Sequence, residues 1–107
     1  MQQQNYFVYI LTNKDRHTVL YIGVTNSLER RGSENSPGFG SSFARQYGAH
    51  KLIYFEAYTD PINAIARGEQ LKRWSRAKKE ALITKRNPEW RDLFSEMDAL
   101  HSAGGSR

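Results

Sequence analysis

The feature that most constrains the fold is a pair of β-branched and aromatic runs separated by a short polar stretch. Residues 6–11 read YFVYIL and residues 19–24 read VLYIGV, with TNKDRHT between them. Two such runs joined by a short polar connection predict a β-hairpin. Because side chains alternate along a strand, Tyr9 and Tyr21 are expected to lie close to opposite each other if the hairpin closes near Asp15.

A short helix and a third strand are predicted after the hairpin. Asn26 followed by Glu29 resembles a capping box, so a helix is expected to about residue 34. A loop rich in turn formers precedes a short helix expected over 43–47. The run KLIYFEAY at 51–58 then predicts a strand.

Two consecutive helices are predicted in the second half of the chain. Asp60-Pro61 is a strong helix start, because aspartate is a good N-cap and proline is favoured at the first helical position. This helix is expected to run to about Trp74 and a second one over 75–85, ended by the Asn87-Pro88 pair. The elements together predict an α/β (α+β) fold with a small three-stranded, mostly antiparallel sheet flanked by helices.

Length and composition restrict the class of protein. A chain of 107 residues is expected to form one domain, here over residues 1–95, with a last short helix near its end and a flexible tail over 96–107. The absence of cysteine excludes disulfides and thiolate metal sites. Neither a long apolar run nor a signal-peptide pattern occurs, so a cytoplasmic location is expected.

The charge of the chain is concentrated in one segment. The net charge of +5 and the pI of about 9.7 favour a polyanionic partner. Residues 72–86 hold seven Lys or Arg against one Glu, a net +6. This segment is either a solvated helix face or a track for a nucleic-acid backbone. The candidate nucleic-acid contacts are Arg30, Lys72, Arg73, Arg76 and Lys79.

The motifs together resemble a known family. FVY at 7–9 and YIG at 21–23, followed by LERR at 28–31, resemble the GIY-YIG nuclease superfamily, above all its small single-domain bacterial members. The similarity continues through GFGSSFARQYG, LIYFEAY, AIARGEQLKRW and KKEALITKRNPEW. The resemblance implies a GIY-YIG endonuclease-like fold that holds a phosphodiester beside one divalent ion, Mg²⁺ or Mn²⁺. It implies DNA, branched or structured, as partner, and a second protein could supply targeting.

The resemblance also implies roles for individual residues. Tyr9 and Tyr21 would activate and position the attacking oxygen, Arg31 would hold the phosphate, and Asn87 matches a polar asparagine near the end of the domain. The alternative for the tyrosines is aromatic filling of a half-buried sheet, and for Arg31 a solvated helix position. A guanidinium suits bidentate phosphate contact, which favours Arg31 as a site residue.

Two positions depart from the family pattern. Asn35 stands where the family usually has a histidine, and an amide can orient water but cannot accept its proton. Gly68 stands where close relatives usually have the metal-binding glutamate. With about 100° per residue, Ile65 and Leu71 flank position 68, which predicts that Gly68 is at the centre of the inward helix face and that Glu69 is turned toward its edge.

Gly68 has two interpretations. Either the glycine lets the helix approach the sheet closely, or a metal ligand has been lost and Glu69 is a weak substitute. Low or no cleavage is expected unless Glu69 turns inward. The leading hypothesis is therefore a DNA-processing domain of the GIY-YIG type, with metal-dependent phosphodiester hydrolysis if it is active. The alternatives are an inactive nucleic-acid-binding module of the same fold and an interaction domain without a nucleic-acid role.

Overall fold

The centre of the fold is a three-stranded antiparallel sheet. The computed structural model describes residues 5–13, 17–29 and 48–96. Its strands are β1 (Tyr6–Thr12), β2 (Leu20–Thr25) and β3 (Lys51–Tyr58), in the order β2-β1-β3. Both neighbours of β1 run antiparallel to it, which confirms the predicted hairpin and third strand.

The pairing of the hairpin differs by two residues from the prediction. Tyr9 pairs with Gly23, and Tyr21 pairs with Leu11, so the two tyrosines are diagonal neighbours on one face rather than directly opposite. The side chain of Asn13 helps to set this register, because its Oδ1 accepts hydrogen bonds from the backbone N–H groups of residues 18 and 19 at 2.8 and 2.9 Å. The pairing is therefore centred on position 16 instead of 15.

The two faces of the sheet bury different groups. One face, which we call the helix face, contributes Val8, Ile10, Ile22 and Tyr54 to a core shared with the two long helices. The other, which we call the tyrosine face, carries a second cluster that also includes residues from outside the sheet. Its members are Phe7, Tyr9, Leu11, Val19, Tyr21, Leu28, Ala49, Leu52, Phe55, Leu93 and Phe94.

Two helices follow β3, as predicted. They are α1 (Pro61–Arg73) and α2 (Arg76–Arg86). The side chain of Asp60 accepts a hydrogen bond from Ile62 N at 3.3 Å, and Ser75 Oγ accepts one from Lys78 N at 3.2 Å. Each N-cap satisfies a backbone donor that the first helical turn cannot, which is why each helix begins where the sequence indicates.

The inward face of α1 is narrower than its apolar pattern suggests. Ala64, Gly68 and Leu71 are buried, which confirms the inward position of Gly68. Ile65, however, is 53% exposed and Ile62 is 73% exposed, so the expectation that Ile65 flanks the inward face was wrong. Small residues at 64 and 68 let the helix lie close to the sheet, and this close contact decides the rotation of the helix.

Some predicted elements lie outside the described residues. Of the helix predicted from residue 27 to about residue 34, residues 27–29 are described, and 28 and 29 are helical. The helix predicted over 43–47 and residues 97–107 of the predicted tail lie outside, whereas residue 96, the first residue of that tail as predicted, is helical. Residues 93–96 form the expected last helical turn. Within the described part of the chain, no helix has both the length and the apolar character needed to cross a membrane.

Candidate phosphodiester and nucleic-acid site

Tyr9 and Tyr21 form a ring pair on the tyrosine face. Their ring centroids are 6.3 Å apart with planes tilted by 45°, and Tyr9 is only 3% exposed. The Tyr9 ring lies across its strand partner Gly23, where an added Cβ would be 2.5 Å from Tyr9 Cζ. A side chain at position 23 would force the Tyr9 ring to shift, so glycine is the residue that fits the present position of this ring.

The remaining residues of the predicted phosphate-holding group cannot be placed with the tyrosines. Arg31 and its neighbour Arg30, together with Asn35, lie outside the described residues. Their roles therefore stay predictions. The described half of the group is the tyrosine pair, which two adjacent strands hold in fixed register.

The side chain of Asn87 connects three segments by hydrogen bonds: the end of α2, the strand β3 and the turn that follows α2. It is 6% exposed and caps the C-terminus of α2. Its Nδ2 donates to Ile53 O and Arg91 O, both at 3.0 Å, and its Oδ1 accepts from Arg91 N at 3.0 Å. Both amide hydrogens are thus engaged, which leaves no side-chain N–H for a bound phosphate. The catalytic role predicted for Asn87 stays a prediction, but its present contacts hold α2 and the following turn onto β3.

The described residues do not provide a divalent-metal site. Position 68 faces the sheet but offers no oxygen ligand. Glu69 is 58% exposed and pairs with Lys72 at 3.7 Å on the solvent side. Among the residues of 5–13, 17–29 and 48–96, no three His, Cys, Asp or Glu side chains come together as a metal-binding group. A hard cation needs several oxygen ligands, so these residues do not fit the ion that the family pattern implies.

Gly68 and the two tyrosines lie on different faces of the sheet. An added Cβ at Gly68 would be 3.1 Å from Val24 Cγ2, and Val24 belongs to the helix face, because it follows Gly23 on the strand. A longer side chain at 68 could approach the tyrosine face only around the outer edge of β2. Val24 is 38% exposed and β2 is an edge strand, so the described residues leave that route open at Val24.

A second polar cluster, on the helix face, was missed from the sequence. Glu56 on β3 accepts hydrogen bonds from the hydroxyls of Tyr54 and Tyr58 and from Arg67 of α1, whose Nε and Nη2 each lie 3.0 Å from one carboxylate oxygen. The signal in the sequence is YFEAY, where a glutamate two residues from each tyrosine shares their face. A carboxylate on the packed face of a sheet needs such hydrogen-bond partners, because burial of an unpaired charge costs free energy.

The cluster shifts the ionisation of its members. Burial alone would raise the pKa of Glu56, but the hydrogen bonds from Arg67, Tyr54 and Tyr58 outweigh it, and its pKa is lowered. Burial and the hydrogen bond to Glu56 raise the pKa of Tyr54 to about 12. The ion pair between Arg67 and Glu56 holds α1 against β3, and both groups stay charged around neutral pH.

This cluster predicts a pH effect on stability. The folded-state pKa of Tyr54 is raised from 10.0 to about 12, so its contribution is present below pH 10 and is lost as the pH rises toward 12. In Glu56→Gln, the tyrosinate absorbance of Tyr54 is expected to appear at lower pH, because the carboxylate that holds the phenol proton is gone. Comparison with Tyr54→Phe identifies which step of the absorbance titration belongs to Tyr54. If this step occurs at the same high pH in Glu56→Gln, the hydrogen bond to Glu56 does not raise the pKa of Tyr54.

The helix cations divide into engaged and available groups. Arg76 donates through Nη1 to Thr18 O at 2.5 Å, through Nη2 to His17 O, and through Nε to Glu80 at 2.8 Å. It therefore holds the segment before β2, which competes with its predicted nucleic-acid role. Arg73 and Lys79, in contrast, form no ion pair among the described residues.

The available cations and the tyrosines do not lie side by side. The helices α1 and α2 pack on the helix face, whereas Tyr9 and Tyr21 lie on the tyrosine face. The sheet therefore lies between the helices that carry the basic segment and the tyrosine pair. A nucleic acid must pass an edge of the sheet to contact both.

The sheet topology and the tyrosine pair together define a GIY-YIG nuclease-like domain, and comparisons with known proteins agree. Residues 5–81 match the family model of the GIY-YIG catalytic domain. A UPF0213 protein of Clostridium perfringens is 37% identical over 81 residues, which is 76% of this chain and 85% of the relative. A UPF0213 protein of Natronomonas pharaonis is 34% identical over 79 residues, 74% of this chain and 91% of the relative.

A solved structure supports the same assignment. The solution NMR structure of a UPF0213 protein from Bacillus halodurans matches with a TM-score of 0.53 at 29% identity, covering 83% of this chain and 93% of that one. This chain belongs to the GIY-YIG family and, within it, is similar to the small UPF0213 proteins.

Proposed function

We propose that this protein is a DNA-binding domain of the GIY-YIG family that does not cut DNA by metal-dependent hydrolysis. The observation that carries the proposal is the chemistry of α1. Its sheet-facing position 68 has no carboxylate, while Glu69 points to solvent and pairs with Lys72. Loss of a metal ligand removes hydrolysis, but it leaves the cations that attract a phosphate backbone in place.

The surface that would bind DNA is formed by the C-terminal end of α1 and by α2. Arg73, Lys78 and Lys85 are exposed and Lys79 is partly exposed, and none of the four forms an ion pair among the described residues. Cations without acidic partners can release counterions from DNA at little cost. A domain with so little surface favours recognition of shape, such as a branch, over a base sequence.

Metal-dependent hydrolysis is the second candidate, and the tyrosine pair favours it. Tyr9 and Tyr21 are in ring contact, and Gly23 leaves the space that the Tyr9 ring fills. In an active protein these tyrosines would act with Arg31 on the phosphodiester, and Mg²⁺ or Mn²⁺ would be required. The two candidates differ in one measurable property, the cleavage of DNA by the unaltered chain.

The binding proposal predicts a salt dependence that single charge changes alter. Fluorescence anisotropy with labelled branched and linear DNA over a range of salt should give a slope of about −0.9 per phosphate contact. Arg73→Gln and Lys79→Gln should each reduce that slope by about 1. Arg91→Gln is the matched control, since Arg91 is paired with Glu96 at 3.0 Å. Binding that is absent, or equally weakened by all three changes, would contradict the proposed surface.

A second prediction concerns position 68. Incubated with branched DNA and Mg²⁺ or Mn²⁺, the unaltered protein should not cleave, whereas Gly68→Glu should gain cleavage because a carboxylate is restored beside the β2 edge. Gly68→Gln has the same size without the charge and should stay inactive. Adding Arg31→Ala to Gly68→Glu should remove the gained activity. Cleavage by the unaltered chain that Tyr21→Phe abolishes would favour the hydrolase instead.

A further inference from the structure

The described residues cover only the first half of the outer edge of β3. β3 is an edge strand, and its backbone groups alternately face β1 and the outside. The carbonyls of Ile53 and Phe55 face outward, because Asn87 Nδ2 donates to the first at 3.0 Å and Arg86 Nη1 to the second at 3.3 Å. By the same alternation, the N–H of Phe55 and both backbone groups of Ala57 face outward.

The covering ends at Phe55. Before it, Leu52 N donates to Asp92 Oδ1 at 3.2 Å and Ile53 O accepts from Asn87 Nδ2 at 3.0 Å, so residues that follow α2 cover this part of the edge. Beyond it, no hydrogen bond between described residues reaches the Phe55 N–H or the N–H and C=O of Ala57. The last four residues of β3, FEAY, contain none of the lysine, proline or bulge features with which edge strands commonly resist pairing.

A groove accompanies this open edge. It has a volume of about 490 Å³ and is lined by Phe55, Glu56, Ala57, Tyr58, Arg67 and Arg86. Arg67 is satisfied by Glu56. Arg86 is exposed and forms no ion pair among the described residues, although its guanidinium lies 5.5 Å from the Tyr54 ring. The groove therefore offers backbone pairing groups beside one available cation.

The charge of the groove selects its occupant. A second copy of this chain would bring another +5 of net charge and would place a second Arg86 near the first in a symmetric pair of β3 edges. An extended segment with alternating acidic and apolar residues avoids this repulsion. Its backbone pairs with Ala57, its acidic side chains face Arg86, and its apolar side chains face Phe55.

We infer that residues 55–58 of β3 accept an acidic, extended segment of another protein as a fourth strand. This interaction does not depend on the proposed DNA binding, because the four cations proposed to contact DNA, Arg73, Lys78, Lys79 and Lys85, do not line the groove. It gives this small domain a way to attach to a partner while these four cations remain available.

The test uses the full chain, labelled with ¹⁵N, and a blocked hexapeptide of alternating valine and glutamate. The peptide should shift the amide signals of Phe55 and Ala57 saturably and slow their hydrogen exchange. Ala57→Pro removes the outward N–H at an edge position that tolerates proline, and should weaken binding by about 2- to 10-fold. Ala57→Val keeps the N–H and should bind within about 2-fold of the unaltered chain.

Two further variants test whether the groove prefers an acidic peptide. Arg86→Gln should weaken binding of the glutamate peptide by about 3- to 10-fold, whereas Lys85→Gln, the neighbouring cation outside the groove, should change it by less than about 2-fold. A valine-lysine hexapeptide should not bind. Equal binding of the two peptides, no saturable shift at Phe55 and Ala57, or self-association of the protein that protects these amides would each overturn the inference. DNA binding measured beside it should not change with Ala57→Pro.

Discussion

Gly23→Ala is expected to destabilise the protein by about 3 kcal/mol, the upper end of the usual cost of overpacking. The added methyl would lie 2.5 Å from Tyr9 Cζ, and Tyr9 is 3% exposed, so a shift of its ring must also move the residues packed around it. Either the ring leaves its rotamer or β1 and β2 separate. Urea denaturation should show a lower midpoint with an unchanged m-value.

A double-mutant cycle separates this clash from a general effect on the strand. Tyr9→Leu alone should destabilise the protein, because it removes the buried ring, but Gly23→Ala added to Tyr9→Leu should cost little further. The two changes are then strongly non-additive. Additive losses, or a Gly23→Ala protein as stable as the parent, would show that the Tyr9 ring does not require glycine at position 23.

Asn87→Asp should cost about 3–5 kcal/mol, the range for a buried charge left without a partner. The change replaces two donated hydrogen bonds, to Ile53 O and Arg91 O, with a carboxylate facing two carbonyl oxygens in a position only 6% exposed. Burial raises the pKa of such an aspartate, so the loss should shrink as the pH falls and the carboxyl becomes protonated. Urea denaturation at neutral and acidic pH measures both effects.

The matched control for this change is Asn63→Asp. Asn63 is exposed on α1, and there the same chemical change should stay within about 0.5 kcal/mol. A stable Asn87→Asp protein would contradict the structural role assigned to Asn87. If Asn87→Ala instead abolished a cleavage activity while the free energy of unfolding stayed unchanged, Asn87 would be a catalytic residue, as the family resemblance implies.

The elements of this fold were predictable because their signals are local. Each strand comes from one continuous run of six to eight residues, and the caps Asp60 and Ser75 act on N–H groups two and three residues away. Helical geometry also placed Gly68 inward. It failed for Ile65, because periodicity assigns large apolar residues to the buried side, whereas the close contact of Ala64 and Gly68 with the sheet fixed the rotation of α1.

The candidate site was predictable only in part. Tyr9 and Tyr21 follow from strand alternation, but their diagonal offset depends on where the hairpin closes, which the side chain of Asn13 helps to decide. The Glu56 cluster depends on Arg67, eleven residues away on another element. No local sequence pattern predicts which charged residue of a helix will pair with which charged residue of a strand.

The sequence by itself determined the order of the elements, the family, and the absence of a carboxylate at position 68. Only the tertiary structure decided that position 68 and the tyrosines face opposite sides of the sheet, and that the amide hydrogens of Asn87 are already engaged. The reason is the range of the interactions. Asn87 bonds to Ile53 across 34 residues and Arg76 to His17 across 59, and such pairs form only once β1, β3 and the helices have packed.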